Sequence, residues 1–451
     1  MAPKRHGAHS TKAKKNMDGL PDDVVADIMD FVQTHNLLMV CKKFQRIWYT
    51  SHLWVSEDSH GNAVARHPAG DIKLWPPRLL NQNQEGVRWL RYTGERFAWQ
   101  PGPLRPNVLT LHINSWIEQG NLCKMIQWCR PFVRRLVLQS TATVHNMTLA
   151  PVCELAATAD QLCSLDVRVI QGHINDMSIS HIASLIGKLK VIQQLSIVVP
   201  MNSITIAGLQ RLIDGLLKAP TTLRDIHLDI SGNWIRGPDY GKQLARLALL
   251  PSLRSLTLVF GGWGVRKQFG LEYFILLGSN KTIQTLSLTI VGARITCEFF
   301  KKAMHGIIVL PLLRRLHIDI ATCEVGDQCI RGLSLLRLCV AVEHLSLALG
   351  SPTERLLIIM GAIRHLPSLR EFRVRLDYRG SFLTMQHAHQ IAQFDNPNCV
   401  LDIHIQNANV LHCDGIQGVL RDGFHQTKRT DIRFHDCHGI PEERCCLQIV
   451  H

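Results

Sequence analysis

The hydrophobic positions of this chain recur in one pattern: apolar, two variable residues, apolar, variable, apolar. It reads Ile192-Gln-Gln-Leu195-Ser-Ile197, then Leu223-Arg-Asp-Ile226-His-Leu228, then Leu253-Arg-Ser-Leu256-Thr-Leu258. The central apolar residues fall at 109, 136, 165, 195, 226, 256, 286, 316, 345, 372, 401 and 432, so neighbours lie 27 to 31 residues apart. Alternation of apolar and polar residues predicts a short strand with one buried face. Between the copies the spacing becomes helical. Ile206, Leu209, Ile213, Leu216 and Leu217 share a face before Lys218-Ala-Pro220 ends the run. A strand, loop, helix and turn repeated at a fixed period predict a stack in which no unit buries its apolar face alone.

The pattern resembles the leucine-rich-repeat family over roughly residues 104–440, with a repeat length like that of its ribonuclease-inhibitor-like subclass. The resemblance implies an α/β solenoid: a horseshoe with a parallel inner sheet and outer helices. That family's Asn or Cys at the bend after the strand is mostly missing here, and Asn233 is one candidate for it.

Ahead of the repeats, Leu20-Pro21-Asp22-Asp23 opens a stretch in which Val24, Ile28 and Phe31 share a helical face, with acids in its first turn as a helix dipole prefers. Leu37 to Trp48 forms a second helical stretch, and Leu53-Trp54 follows. Leu20, Pro21, Ile28, Val40, Cys41, Lys42, Phe44, Leu53 and Trp54 match in order the F-box, a small helical module. The link between Phe31 and Val40 is about one helical turn shorter than in that module. The resemblance implies that Leu20, Pro21, Ile28, Val40, Cys41, Leu53 and Trp54 bind a Skp-type adaptor and, through it, a cullin scaffold. The plain alternative is a helical cap on the first repeat.

The expected organisation is a basic tail over 1–17, an F-box-like helical module over 18–56, a Trp/Pro-rich junction or cap over 57–103, and the repeats over 104–451. The junction's Trp75, Trp89 and Trp99 lie among arginines, which also suits a surface for stacked RNA bases. A cap over the open end of the stack is the simpler reading.

Composition narrows the function. Of 451 residues, 46% are apolar and 19% charged, which suits a large core and argues against disorder. No apolar run reaches the roughly 18 residues of a membrane span, and no apolar stretch follows the basic start, so a cytoplasmic or nuclear location and no membrane contact are expected. The 14 cysteines stand mostly in apolar contexts and read as small buried hydrophobes without disulfides. The net charge of +14 favours acidic partners and leaves nucleic acid open.

No phosphate-binding loop, His-Glu-x-x-His or Gly-x-Ser-x-Gly occurs, so no catalytic residue, cofactor or metal is assigned and the chain reads as a binding protein, not an enzyme. His435, Cys437, His438, Cys445, Cys446 and His451 are metal-capable types, but their spacing fits no zinc module, and a frayed final repeat accounts for them.

Residues flanking each central apolar position point away from the core. In the C-terminal half they are Arg315, His317 and Asp319, then Glu371, Arg373 and Arg375. Neighbouring strands lie about 4.8 Å apart, so these side chains are expected to converge on an acidic or phosphorylated segment of a target protein. Adaptor at one end and target at the other would make the chain the substrate-recognition subunit of an SCF-type ubiquitin ligase. The alternative is a scaffold or inhibitor that binds a protein or ribonucleoprotein without any ligase role.

Overall fold

The structure is a computed structural model. It describes residues 52–57, 63–66, 89–92 and 107–450, apart from 113–122, 124–125, 141–145, 238, 263–269, 296, 326–331, 351–359, 365, 380–381, 393, 395, 397, 411–412, 424–426, 428, 439 and 441–445. The chain forms two compact units, residues 1–166 and 167–451.

In the first unit, strand β1 (His52–Glu57) pairs antiparallel with β2 (Ala63–Arg66) and parallel with β3 (Trp89–Tyr92). Strands β4 (Val108–His112) and β5 (Arg135–Ser140) continue the parallel order, followed by helix α1 (Asn146–Ala156). Strand β6 (Ser164–Val169) straddles the boundary between the units.

This start differs from the expectation in one respect. Leu53 and Trp54 lie on a strand, not at the close of a helical module, and Leu53 stands in register with Leu90, which in turn pairs with Leu109 and Leu109 with Leu136. The parallel ladder therefore begins about fifty residues before 104, with β1 at the end of the stretch expected to be the F-box-like module and β3 in the expected junction. The repeat period conceals this, because Leu53, Leu90 and Leu109 are unevenly spaced along the chain. Leu20, Pro21, Ile28, Val40 and Cys41 lie outside the described residues.

The second unit alternates helices and strands: α2 (Asp176–Lys188), β7 (Gln194–Val198), α3 (Ile206–Leu217), β8 (Asp225–Asp229), α4 (Asp239–Ala245) and β9 (Ser255–Gly261). After a 3-10 segment, Leu271–Ser279, come β10 (Thr285–Val291), α5 (Cys297–Ile308), β11 (Arg315–Asp319), β12 (His344–Gly350) and β13 (Glu371–Asp377). Helix α6 (Met385–Ala392), β14 (Val400–Gln406), α7 (Cys413–Gly423), β15 (Arg429–His435) and β16 (Cys446–Val450) complete the order. Strands β7 to β15 pair in parallel in chain order. Strand β16 turns back antiparallel on β15, where a frayed repeat was expected. Among the described residues no helix is long and apolar enough to cross a membrane.

The predicted register holds through most of this unit. Ile226, Leu256, Leu286, Leu316, Leu345, Phe372 and Leu401 stand side by side in one column, each buried. The last repeat departs: Leu401 faces Thr430, and Ile432 faces Ile403. Thr430 is fully buried, and its hydroxyl is satisfied by Thr427 at 2.8 Å, which lets a polar residue hold an apolar column's place. A two-residue slip keeps the same face buried, so the apolar pattern alone cannot detect it.

The helices close on one another where side chains are small. A Cβ on Gly215 of α3 would lie 2.6 Å from the Ala183 carbonyl oxygen of α2. Asp176 at the start of α2 accepts from the Thr205 amide at 2.8 Å and its hydroxyl at 2.6 Å, joining the two helix entries.

The bends after the strands need partners for carbonyls that leave the ladder. Asn233 fills the expected role: its amide nitrogen donates to the Val199 and Ile230 carbonyls at 2.8 and 3.0 Å, and its oxygen accepts from the Ile204 amide at 3.2 Å. Asn202 makes the matching set with the carbonyls of Val169 and Pro200 and the amide of Ile174. Farther along, the Cys323 thiol donates to the Ile290 carbonyl at 3.1 Å.

Replacing Asn233 by Ala should therefore cost about 1–3 kcal/mol, because it strands two carbonyls and an amide. Ser231→Ala, at a half-buried turn position, should cost well under that. Urea unfolding of both variants measures this, and equal costs would show that the Asn233 amide does not hold the bend.

Candidate functional site

Outward side chains on β11 to β15 form a polar surface. Strand alternation places them there: in β11 the even residues Leu316 and Ile318 are buried, while Arg315 is exposed and His317 and Asp319 are half-buried. Strands β13 and β14 present Glu371, Arg373 and Arg375, then Asp402 and His404.

These groups pair with each other. His344 Nδ1 lies 3.0 Å from Glu371 Oε2, and Arg373 Nη2 donates to Glu371 Oε1 at 3.1 Å. Arg373 Nε donates to Asp402 Oδ2 at 2.9 Å. His404 Nε2 sits 3.0 Å from Asp402 Oδ1, close enough for ionic contact but outside hydrogen-bond geometry. The His404 ring stacks on His435 with centroids 5.3 Å apart, and His404 Nδ1 lies 3.1 Å from His435 Nε2. One chain of contacts thus runs across four strands.

A second contact crosses two strand gaps. Arg375 Nη2 donates to Asp319 Oδ2 at 2.6 Å, although their strands are separated by β12. The register Asp319–Ala348–Arg375 explains it, because an alanine in the middle leaves room for the guanidinium to pass over. Ala348 is buried although its position faces outward.

Between these groups lies a depression of about 170 Å³ lined by Arg315, His317, His344, Glu371 and Arg373, with Thr285, Ser287 and Ser346 on the polar side. The column residues Leu286, Leu316 and Leu345 form its floor. Arg315 has no ion-pair partner among the described residues.

Of the six residues expected to hold a target, Arg315, His317, Glu371 and Arg373 gather around this depression, and Asp319 and Arg375 form the neighbouring bridge. The expected convergence of Arg373 and Arg375 on an external acid is corrected. Arg373 is engaged by Glu371 and Asp402, Arg375 by Asp319, and the two guanidinium groups diverge. Alternation also places Asp402 and His404 on this face, but it does not show that Asp402 stands directly opposite Arg373 and pairs with it. The expected site leaves out His344, although His344 occupies the same column as Arg315 and Glu371.

Among the described residues no three metal-capable side chains gather. The Cys437 thiol turns to the Ile405 and His435 carbonyls, while the His435 ring lies on His404.

No family model matches the chain, and no curated protein matches it. A chain in the crystal structure of the Rad7 and Elc1 complex in yeast is similar over 72% of this chain and 75% of that one, at 15% identity and a TM-score of 0.41.

His317 gives the site a measurable signature. Burial pushes its imidazole below the ordinary value near 6.5, with Arg375 and Arg373 adding to the effect and Asp319 opposing it. A histidine whose folded pKa is depressed favours folding while neutral, so its contribution is present above the unfolded value and is lost as pH falls through about 6.5 toward the folded value. The melting temperature should therefore drop more steeply between about pH 7 and pH 5.5 in the unaltered chain than in His317→Gln. Parallel pH profiles would show that His317 is solvated like a free imidazole.

Proposed function

We propose that this chain is a target-recruiting subunit, a leucine-rich-repeat protein that holds one protein through the open face of β11 to β15 and an adaptor through residues 18–56. The observation that carries the binding role is the cluster at the depression: polar groups already fixed to one another on a rigid sheet. Such a surface enters a complex with little ordering cost. At about 170 Å³ the depression is smaller than the roughly 300 Å³ at which small-molecule sites begin, which favours a protein surface over a substrate pocket. Burial pushes the thiols of Cys129, Cys153, Cys339 and Cys399 up to about 12, which suits packing rather than nucleophilic attack.

The ligase role rests on the order Leu20, Pro21, Ile28, Val40, Cys41 in the sequence, which resembles an F-box, with repeats behind it. In that role the Skp-type adaptor and cullin scaffold would bring a charged conjugating enzyme near a lysine of the target, and this chain would contribute proximity. With Arg373 and Arg375 neutralised internally, the target segment would carry both charges and polar groups rather than a bare acidic run.

Two substitutions separate the ends. Leu20→Ala with Pro21→Ala should abolish co-purification of a co-expressed Skp-type adaptor while the repeats melt as before. Arg315→Glu alters the open face without breaking an internal pair, and should leave the adaptor bound while reducing target capture. Adaptor retention by the Leu20/Pro21 variant would contradict the F-box reading and favour a scaffold with no ligase role.

A further inference from the structure

The opposite edge of the second unit, where each helix turns into the next strand, carries a different chemistry. The turns are stacked by backbone bonds from each repeat to the next: the Arg254 amide to the Arg224 carbonyl at 2.7 Å, then Gln284 to Arg254, Arg314 to Gln284, Glu343 to Arg314 and Arg370 to Glu343, each at 2.8 Å. In the turns at 187–193, 218–224, 248–254, 278–284, 308–314, 337–343 and 364–370, every one holds Lys or Arg, and Glu343 is the only acid. Arg224, Arg254 and Arg337 are exposed and have no ion-pair partner among the described residues. Glu343 lies 3.7 Å from Arg314 and 3.9 Å from Arg370, and both guanidinium side chains remain mostly open to solvent.

The same edge exposes aliphatic side chains. Leu249 is 67% exposed, Val340 59%, Val309 55% and Leu338 49%. Between the turns at 307–313 and 338–342 lies a groove of about 140 Å³, lined by aliphatic side chains and Cys339 together with backbone polar atoms of the two turns. The preceding turn is fastened one repeat back, where Asn280 donates to the Ala248 and Leu250 carbonyls at 3.0 Å and accepts from the Thr282 and Ile283 amides.

We infer that this edge is a second docking surface, which takes an acidic amphipathic segment of a partner protein: an aliphatic side chain enters the groove beside Val309, Leu338 and Val340, and carboxylates meet Arg254, Arg314 and Arg337. Charge complementarity selects the acid, since six of the seven stacked turns carry no negative charge. The groove selects the aliphatic anchor, because a recess this size between aliphatic side chains accepts one more. A nucleic acid would use the arginines but leave the groove empty, and the exposed large hydrophobics of these turns are aliphatic, without an aromatic for a base to stack on. An anionic bilayer would meet the exposed Leu249, Val309 and Val340 but would supply no single side chain to seat in the recess between the turns. The surface is distinct from the open face of the sheet and does not depend on the role proposed for that face.

Fluorescence anisotropy with the full chain tests this. The probes are a labelled peptide of repeating Glu-Leu-Leu-Glu, its Glu-Ser-Ser-Glu counterpart, a labelled single-stranded oligonucleotide and phosphatidylserine vesicles. The leucine peptide should bind at least about tenfold more tightly than the serine peptide on the unaltered chain, a comparison independent of any variant's folding. Val340→Glu, at an exposed position, and the double reversal Arg254→Glu with Arg337→Glu should each weaken the leucine peptide by about tenfold or more. The inference is overturned if the leucine peptide fails to bind, if leucine and serine peptides bind alike, or if Val340→Glu changes nothing. It is equally overturned if the oligonucleotide or the vesicles bind more tightly than the leucine peptide.

Discussion

Every other feature of the second unit depends on the lateral ladder. A single strand and helix of this chain cannot bury both faces of Leu256 or Leu286, and the strand's own amides and carbonyls have no partner within the repeat. Neighbours supply both. Leu256 pairs with Leu286 and Leu286 with Leu316, while the backbone bonds before each strand run to the equivalent residue one repeat back. Where the chain leaves the ladder, Asn202, Asn233 and Cys323 close the open carbonyls, two with an amide donor and one with a thiol. Their differing chemistry at the bend is tolerated because the requirement is a donor at one point in space rather than a shape.

Register then writes the surfaces. Because strands stack without stagger, outward residues of successive repeats fall into columns, and columns decide which charges meet. Arg373 meets Asp402 because they are opposite each other; Arg375 reaches Asp319 because Ala348 stands between. The same rule builds the arginine edge, where Arg224 and Arg254 sit one repeat apart and neither makes an ion pair among the described residues. One face of the unit is thus paired within itself and one edge is left basic, from the same positional repetition.

The repeat was legible in the sequence because its period is regular and its strand side chains alternate. From Leu109 to Leu401 each central residue is buried. The ladder's first strands were not legible, since Leu53 and Leu90 fall outside that period. Thr430 hid the last register, because a buried hydroxyl paired with Thr427 mimics a surface residue in the apolar count. Asn202 was missed although it stands seven residues after Leu195, as Asn233 does after Ile226, and that spacing was a usable signal. The depression was half legible: Arg315, His317, Glu371 and Arg373 were read from alternation, but their ion pairs needed the distances between strands. Leu20, Pro21, Ile28, Val40 and Cys41 carry a resemblance that the described residues do not reach.

The central claim is that the repeats share one core and are stable only together. Hydrogen exchange on the full chain, followed amide by amide in β9, β10 and β11, tests it most directly when Leu286→Ala is compared with the unaltered protein. Removing the side chain should cost about 2–5 kcal/mol, and that loss should appear in the protection of β9 and β11 nearly as fully as in β10. If protection falls in β10 alone while its neighbours exchange as before, the strands are independently stable and the account of a shared core is wrong.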